Sequence, residues 1–216
     1  MAAPLTIDIW SDVICPYCYL GERYLIQALQ LFEHADEVVI AYHAFELNPG
    51  ARSQYDESLN ELVARKYAIE VDQAATAHQR LEREAASAGL TWNLSQARPA
   101  NTFDAHRLIA LARDQSRGGA AVHRLFRAYF EEGELVSDRA TLLRIGDELQ
   151  LQNVDEMLTS DDYVDLIRAE ETEALNLGIA GVPAMLIDSK FMVNGARSPE
   201  DLIAVLDRAW KRRAVR

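Results

Sequence analysis

The chain is short of cysteine, of positive charge and of long apolar runs. Its 216 residues hold two cysteines, and 22 lysines and arginines stand against 34 aspartates and glutamates, a net charge of −12. That surplus of negative charge argues against nucleic acid and anionic membranes as partners, since both are recognised through basic patches. No segment is long and apolar enough to span a bilayer, which takes about 20 residues. A structural zinc site takes four ligands. There is no third cysteine, and His34, His43, His78, His106 and His123 form no H-x3–5-H pair, so no metal is expected. MAAP leads straight into a strand pattern without a charged or apolar leader, which makes the cytoplasm the expected compartment. Thiols are kept reduced there, and a cysteine pair is more often catalytic than structural. No internal repeat or low-complexity segment is present.

Both cysteines fall in one unit, Cys15-Pro16-Tyr17-Cys18. Upstream, LTIDIW at 5–10 predicts a strand. Downstream, Tyr24, Leu25, Ala28, Leu29 and Phe32 have helical spacing and predict a helix over 19–32. A C-x-x-C unit between a strand and a helix reads as a redox motif. Cys15 is expected at the helix N-terminus, exposed, where unpaired N–H groups and the helix dipole favour a thiolate. Pro16 suits the first turn because its missing N–H costs nothing there. Cys18 is expected to face the core and to resolve a mixed disulfide formed on Cys15.

A second signature lies far along the chain in GIAGVPAMLID at 178–188. Gly178 reads as a helix stop. Pro183 opens a short apolar strand, a position that tolerates a residue without an N–H. Asp188-Ser189-Lys190 reads as the turn of a hairpin that returns through Phe191-Met192-Val193. Ser198 caps a final helix with Pro199 at its first position and acidic residues in its first turn. Leu202, Val205, Leu206 and Ala209 form its apolar face. The basic WKRR stretch at 210–213 suits a helix C-terminus and reads as a solvated end.

Between the signatures, a strand is predicted over 38–45 and an irregular loop over 46–54. Helices are predicted over 58–67, 71–88, 102–115, 119–132, 138–149, 154–158 and 163–177, punctuated by Gly89, Arg98-Pro99, Gly118-Gly119 and Gly133. The fold class is α/β: a mixed central sheet flanked by helices, residues 1–56 and 174–216, with an all-helical domain inserted over 57–173. Asn101 caps the helix that carries His106 and Arg107. Phe126 and Phe130, four apart on one face, fill the helical domain's own core. The acidic pairs at 131–132 and 161–162 read as solvated faces.

Three segments, SDVICPYCYLG, NTFDAHRL from Asn101 to Leu108, and GIAGVPA, resemble the DsbA-family oxidoreductases of the FrnE type, which have a thioredoxin fold. The resemblance implies a cis Val182–Pro183 bond, with the Val182 backbone beside Cys15 to pair with an extended substrate. It implies an acid under the cysteines that moves the resolving proton, a role open to Asp8 in the strand, whereas Asp12 in the loop is a candidate that alternatively only supports the active-site turn. It makes the helical domain one wall of a substrate groove, to which His106 contributes unless it is a histidine satisfied in the interface between the two domains, the bland reading that outweighs a catalytic role, and it sets Tyr17 over the thiol where the family more often has tryptophan. The implied activity is thiol–disulfide exchange through a mixed disulfide. The Cys15–Cys18 pair is itself the redox centre, with no metal or organic cofactor. Protein or small-molecule thiols and disulfides are the partners, with glutathione a candidate co-substrate. One alternative is a glutathione-dependent isomerase or transferase of the same fold, but those relatives usually carry serine at the first active-site position. Another is a non-enzymatic chaperone or binding module that uses the cleft between the two domains and would survive loss of both cysteines.

Overall fold

The computed structural model describes residues 3–213; Met1 and Ala2 of the leader reading lie outside the described residues. In chain order the elements are β1 (Leu5–Ser11), α1 (Pro16–Leu31), β2 (Val38–Ala44), α2 (Leu59–Tyr67), α3 (Val71–Ser87), α4 (Phe103–Asp114) and α5 (Gly118–Phe130). They continue through α6 (Arg139–Glu148), α7 (Val154–Thr159), α8 (Val164–Asn176), β3 (Ala184–Ile187), β4 (Phe191–Asn194) and α9 (Pro199–Arg213). Among the described residues, no helix is long and apolar enough to cross a membrane.

The fold divides into two units, one reaching Leu47 and resuming at Leu166, the other spanning Asn48–Asp165. The first contains the sheet, in the order β2-β1-β3-β4. β1 pairs parallel with β2 and antiparallel with β3, and β3 pairs antiparallel with β4. Alternation along β1 decides what covers each face. Leu5, Ile7 and Ile9 join Leu25 and Ala28 of α1, Met185 and Ile187 of β3, and Leu202, Leu206 and Ala209 of α9 in one buried cluster. Each such leucine or isoleucine contributes about 1.5–3 kcal/mol by leaving water. Trp10 faces the other way and packs with Ala174, Ile179 and Ala184.

The hairpin turns through Asp188 and Ser189, both at positive φ, where the short side chains of these residues are tolerated. Gly178, at φ +75, ends α8, and the Ile179 N–H closes back onto the Ala174 carbonyl at 2.9 Å. The WKRR end is less solvated than its charge suggests. The Arg213 guanidinium lies 5.3 Å from the Trp210 ring centre and 3.6 Å from Asp188, and Arg212 lies 5.4 Å from that of Phe191.

The second unit is helical. Ser58 and Glu61 form a reciprocal capping box at the start of α2. Leu108, Leu125, Phe126, Tyr129 and Phe130, each at most 2% exposed, fill the unit's interior, and Trp92 stacks on Phe130 at 4.7 Å. Asn101 Oδ1 accepts the Phe103 N–H at 2.9 Å at the start of α4. Arg107 serves as a cap for another helix. Its Nη2 bonds the carbonyls of Met157 and Ser160 at 2.5 and 2.6 Å, satisfying the C-terminal end of α7.

The units part at 47/48 and 165/166 rather than at the expected 56/57 and 173/174. The reason lies in α8. Its Ile167, Glu170 and Ala174 are buried, and Glu170 and Arg168 bond to β2 and the residues just after it. The helical pattern over 163–177 is continuous and gives no sign that its inner face belongs to the sheet.

Gly146 on α6 is placed where a Cβ would stand 2.6 Å from Val154 Cγ2. Glycine to alanine in a helix interior normally stabilises by about 1 kcal/mol. Here overpacking, which costs about 1–3 kcal/mol, dominates. Gly146→Ala should therefore lower the melting temperature, and adding Val154→Ala should recover part of the loss. A stabilised Gly146→Ala would contradict this packing.

Candidate active site

Antiparallel pairing of β1 with β3 sets Trp10 opposite Ala184. The chain leaving β1 toward Cys15 and the chain entering β3 through Pro183 therefore meet at one end of the sheet, although they are far apart in sequence. After Ser11 the backbone turns, and the Cys15 N–H donates to the Asp12 carbonyl at 3.0 Å. Cys15 is the N-cap of α1, in an extended conformation, with Pro16 next. Its carbonyl accepts from Cys18 N at 3.1 Å and Tyr19 N at 3.3 Å, which starts the helix. Both thiols are free.

The Cys15 thiol donates to the Val182 carbonyl at 3.6 Å. The Val182–Pro183 bond is cis, and the Gly195 N–H donates to the Pro183 carbonyl at 2.8 Å, tying the proline segment to the end of β4. On the helix side, a Cβ at Gly21 would stand 3.1 Å from Pro183 Cγ. A bare Cα at this point lets α1 approach the proline ring. The expectation of an exposed Cys15 is corrected: it is 4% exposed, against 48% for Tyr17.

Cys18, in the first turn of α1, is 2% exposed. Burial, then the hydrogen bond and charge of Cys15, push its thiol well above the ordinary range; a backbone hydrogen bond from Asp12 opposes this, and the Asp12 charge adds to it. Two adjacent thiols thus differ in kind, one meeting a backbone carbonyl and the other holding its proton.

The two candidate acids separate cleanly. Asp12 is fully buried. Its Oδ2 accepts the Leu47 N–H at 2.7 Å, and its charge is felt at Cys18. Asp8 sits on the face of β1 that carries Trp10, and its Oδ1 lies 3.0 Å from His43 Nε2. Its placement beneath the cysteines is therefore corrected, because strand parity turns it away from α1. His106 lies on α4 in the second unit, 3% exposed.

Three residues near this end of the sheet went unread in the sequence. Gly21 follows the cysteines in the quoted CYLG segment, yet its contact with Pro183 depends on a residue far along the chain. His43 shares period-2 spacing with Phe45, which packs on the Trp10 face; that parity was the available signal. Glu170 stands in an acid-rich stretch of α8 but is 6% exposed, and its spacing from Ile167 and Ala174 marks the inner face of α8.

A family model described as DSBA-like thioredoxin domain matches residues 6–207. A solved structure of a probable DsbA oxidoreductase from Streptomyces coelicolor is 32% identical, with a TM-score of 0.91 over 96% of this chain and 90% of that one. The cytosolic disulfide reductase DsbM from Pseudomonas aeruginosa is 19% identical, with a TM-score of 0.63 over 95% of this chain and 98% of that one, a likeness of fold. YwbO of Bacillus subtilis is 23% identical over 185 residues, 84% of this chain and 86% of that protein. With a sheet that joins C-x-x-C to a cis-proline and a family match running from β1 into α9, the chain belongs to the DSBA-like thioredoxin domain family.

Proposed function

We propose that the protein is a thiol–disulfide oxidoreductase that passes two electrons between the Cys15–Cys18 pair and substrate thiols through a mixed disulfide on Cys15. The observation that carries this reading is the asymmetry of the pair: Cys15 at the N-cap of α1 against the Val182 carbonyl, Cys18 behind it with its proton held. The pair needs no metal or organic cofactor.

In the oxidising direction a substrate thiolate attacks Cys15 Sγ, the Cys15–Cys18 bond breaks, and Cys18 leaves and takes up a proton through Asp12. A second substrate thiolate attacks the substrate sulfur of the mixed disulfide. The substrate disulfide forms, Cys15 leaves as a thiolate, and the two electrons reside in the dithiol. In the reducing direction the Cys15 thiolate opens a substrate disulfide, Asp12 takes the Cys18 proton, and Cys18 attacks Cys15 to expel the substrate thiolate. The Val182 backbone next to Pro183 holds an extended substrate beside Cys15, with the exposed Tyr17 ring at the rim. No step in this scheme passes through His106.

Protein and small-molecule thiols are the proposed partners, and glutathione with its disulfide is the proposed couple that resets the pair in the cytoplasm. DsbM from Pseudomonas aeruginosa has been solved with GSH. The isomerase and transferase alternative usually has serine where this chain has Cys15, and nothing in the site favours it.

Incubated with oxidised glutathione, Cys18→Ser should accumulate a single glutathionyl adduct on Cys15, read by mass spectrometry, while Cys15→Ser stays unmodified at Cys18. An adduct formed first at Cys18, or a wild-type protein that never closes its disulfide, would overturn the assignment. A chaperone would keep its activity in the double serine variant; the oxidoreductase loses it.

Asp12→Asn keeps an oxygen for the Leu47 N–H but removes the proton acceptor. Resolution of the Cys15 adduct should slow by about 10²-fold, the scale of positioned acid–base catalysis, while alkylation of Cys15 changes little. Unchanged resolution would remove Asp12 from the mechanism.

A further inference from the structure

Among the described residues no strand lies beside the outer side of β2, and α8 supplies carboxylates there instead. Glu170 Oε2 accepts the Ala44 N–H at 2.8 Å, and Glu171 Oε1 accepts the Glu46 N–H at 3.2 Å. Glu170 Oε1 also lies 3.3 Å from His43 Nδ1, and Asp8 Oδ1 lies 3.0 Å from His43 Nε2. Trp10 stacks on the imidazole with ring centres 4.7 Å apart, and its Nε1 donates to the Glu170 carbonyl at 3.2 Å. The side chains of His43, Asp8 and Glu170 are 17%, 27% and 8% exposed. One histidine thus bridges β1, β2 and α8.

The chemistry of that bridge depends on a proton. A neutral imidazole carries one N–H and can donate to one carboxylate; its other nitrogen then turns a lone pair toward the second. Only the imidazolium donates to both. Burial pulls the His43 value down, but the hydrogen bonds to Glu170 and Asp8 and their charges outweigh it, and the net direction is up from 6.5. The groups facing His43 are Asp8 and Trp10 from β1 and Glu170 from α8. Arg168, also on α8, engages Glu46 at 2.6 Å and Glu171 at 2.7 Å. Tyr42, the neighbour on β2, bonds Glu22 on α1, consistent with strand parity turning it to the opposite face.

The same stretch of chain reaches the redox turn. The Phe45 N–H donates to the Ser11 carbonyl at 3.2 Å and the Leu47 N–H to Asp12 Oδ2 at 2.7 Å. The Asp12 carbonyl in turn receives the Cys15 N–H. Residues 43–47 are therefore held by α8 on one side and hold Asp12 on the other.

We propose that Asp8, His43 and Glu170 form a proton-operated clamp that fixes the 44–47 segment and through it Asp12, so that loss of the His43 proton loosens the turn beside the cysteine pair. The effect on redox chemistry rests on the thiol–disulfide reading; the clamp itself does not. His43 and Glu170 are positioning residues, acting on the cysteines only through Asp12. A histidine whose folded-state value is raised contributes stability that is complete below its unfolded value, about 6.5, and fades as pH rises through the raised one. The clamp is closed below about pH 6.5 and opens as pH rises through the raised value, in the range where histidine switches operate.

The test follows His43 by NMR titration, together with amide exchange at Ala44 and Leu47, in wild type, His43→Gln and His43→Arg. His43 should titrate above 6.5. Protection of the two amides, corrected for the intrinsic pH dependence of exchange, should fall through the same ionisation. In His43→Gln it should be low at every pH, and in His43→Arg, a permanent cation, high at every pH. Titration at or below 6.5, or protection that ignores His43, would overturn the clamp. The rate at which reduced protein closes its disulfide with oxidised glutathione supplies the redox arm. It should carry the His43 ionisation in wild type and, at a pH below that ionisation, fall by about two- to thirtyfold in His43→Gln. If wild type closes no disulfide, the function proposal fails while the exchange data still decide the clamp. If closure is normal but blind to His43, the coupling to Asp12 is wrong.

Discussion

The antiparallel pairing of β1 with β3 is the constraint on which the site depends. Neither signature is a site by itself: C-P-Y-C is a helix start, and G-V-P is a strand start. Backbone hydrogen bonds that set Trp10 opposite Ala184 bring those two chain ends to the same end of the sheet. The Cys15 thiol then meets a carbonyl 167 residues away. Everything distal to that pairing is local fitting: Gly21 gives the proline ring room against α1, and Gly195 ties the proline segment to the end of β4.

Given that placement, the state of the Cys18 thiol follows from desolvation. Cys15 caps the helix and Cys18 lies one turn inside it, and both are buried. Burial raises the cost of the Cys18 thiolate more than any single partner does. In the proposed mechanism Cys18 needs a base beside it, and Asp12 is buried with the thiol it would serve. The Leu47 N–H is one support of that carboxylate. The proposed control of the turn would therefore extend to residues that touch neither sulfur.

The parts legible in sequence were those encoded by local patterns. Cysteine spacing, the proline before a short apolar run, the three-residue hairpin turn at 188–190 and the Pro199 helix start each state their structure within a few residues. The cis bond came from the family resemblance and not from any pattern. Where the reading failed, the missing information was a partner distant in sequence. Asp8 and Asp12 are equal candidates until β1 is known to run as far as Ser11, after which parity sends Asp8 to the face opposite α1. Cys15 looked exposed because the segment that meets it is encoded far downstream. The border near 165 was hidden because α8 is one uninterrupted helix, and only the bonds of Arg168 and Glu170 to β2 and the residues after it show which unit its inner face serves.

Strand parity also explains why β1 carries three roles without mixing them. Leu5, Ile7 and Ile9 supply the apolar core with α1 and α9. Asp8 and Trp10 supply the charged and aromatic contacts with His43, and the strand then delivers the turn to Cys15. A slip of one residue in its pairing with β3 would exchange these faces, burying Asp8 in an apolar layer and turning Ile9 toward His43. An unpaired carboxylate in that layer costs several kcal/mol, of the order of a domain's whole stability. The polar cluster thus penalises wrong registers, as the apolar one rewards the right one. Two registers meet on β1: its parallel pairing with β2 sets Trp10 beside His43 and Asp8 within reach of it, and its antiparallel pairing with β3 sets Trp10 opposite Ala184. The site inherits its geometry from the strand they share, because the parity that keeps Asp8 and Trp10 on the face of His43 is the parity with which β3 brings Pro183 toward Cys15.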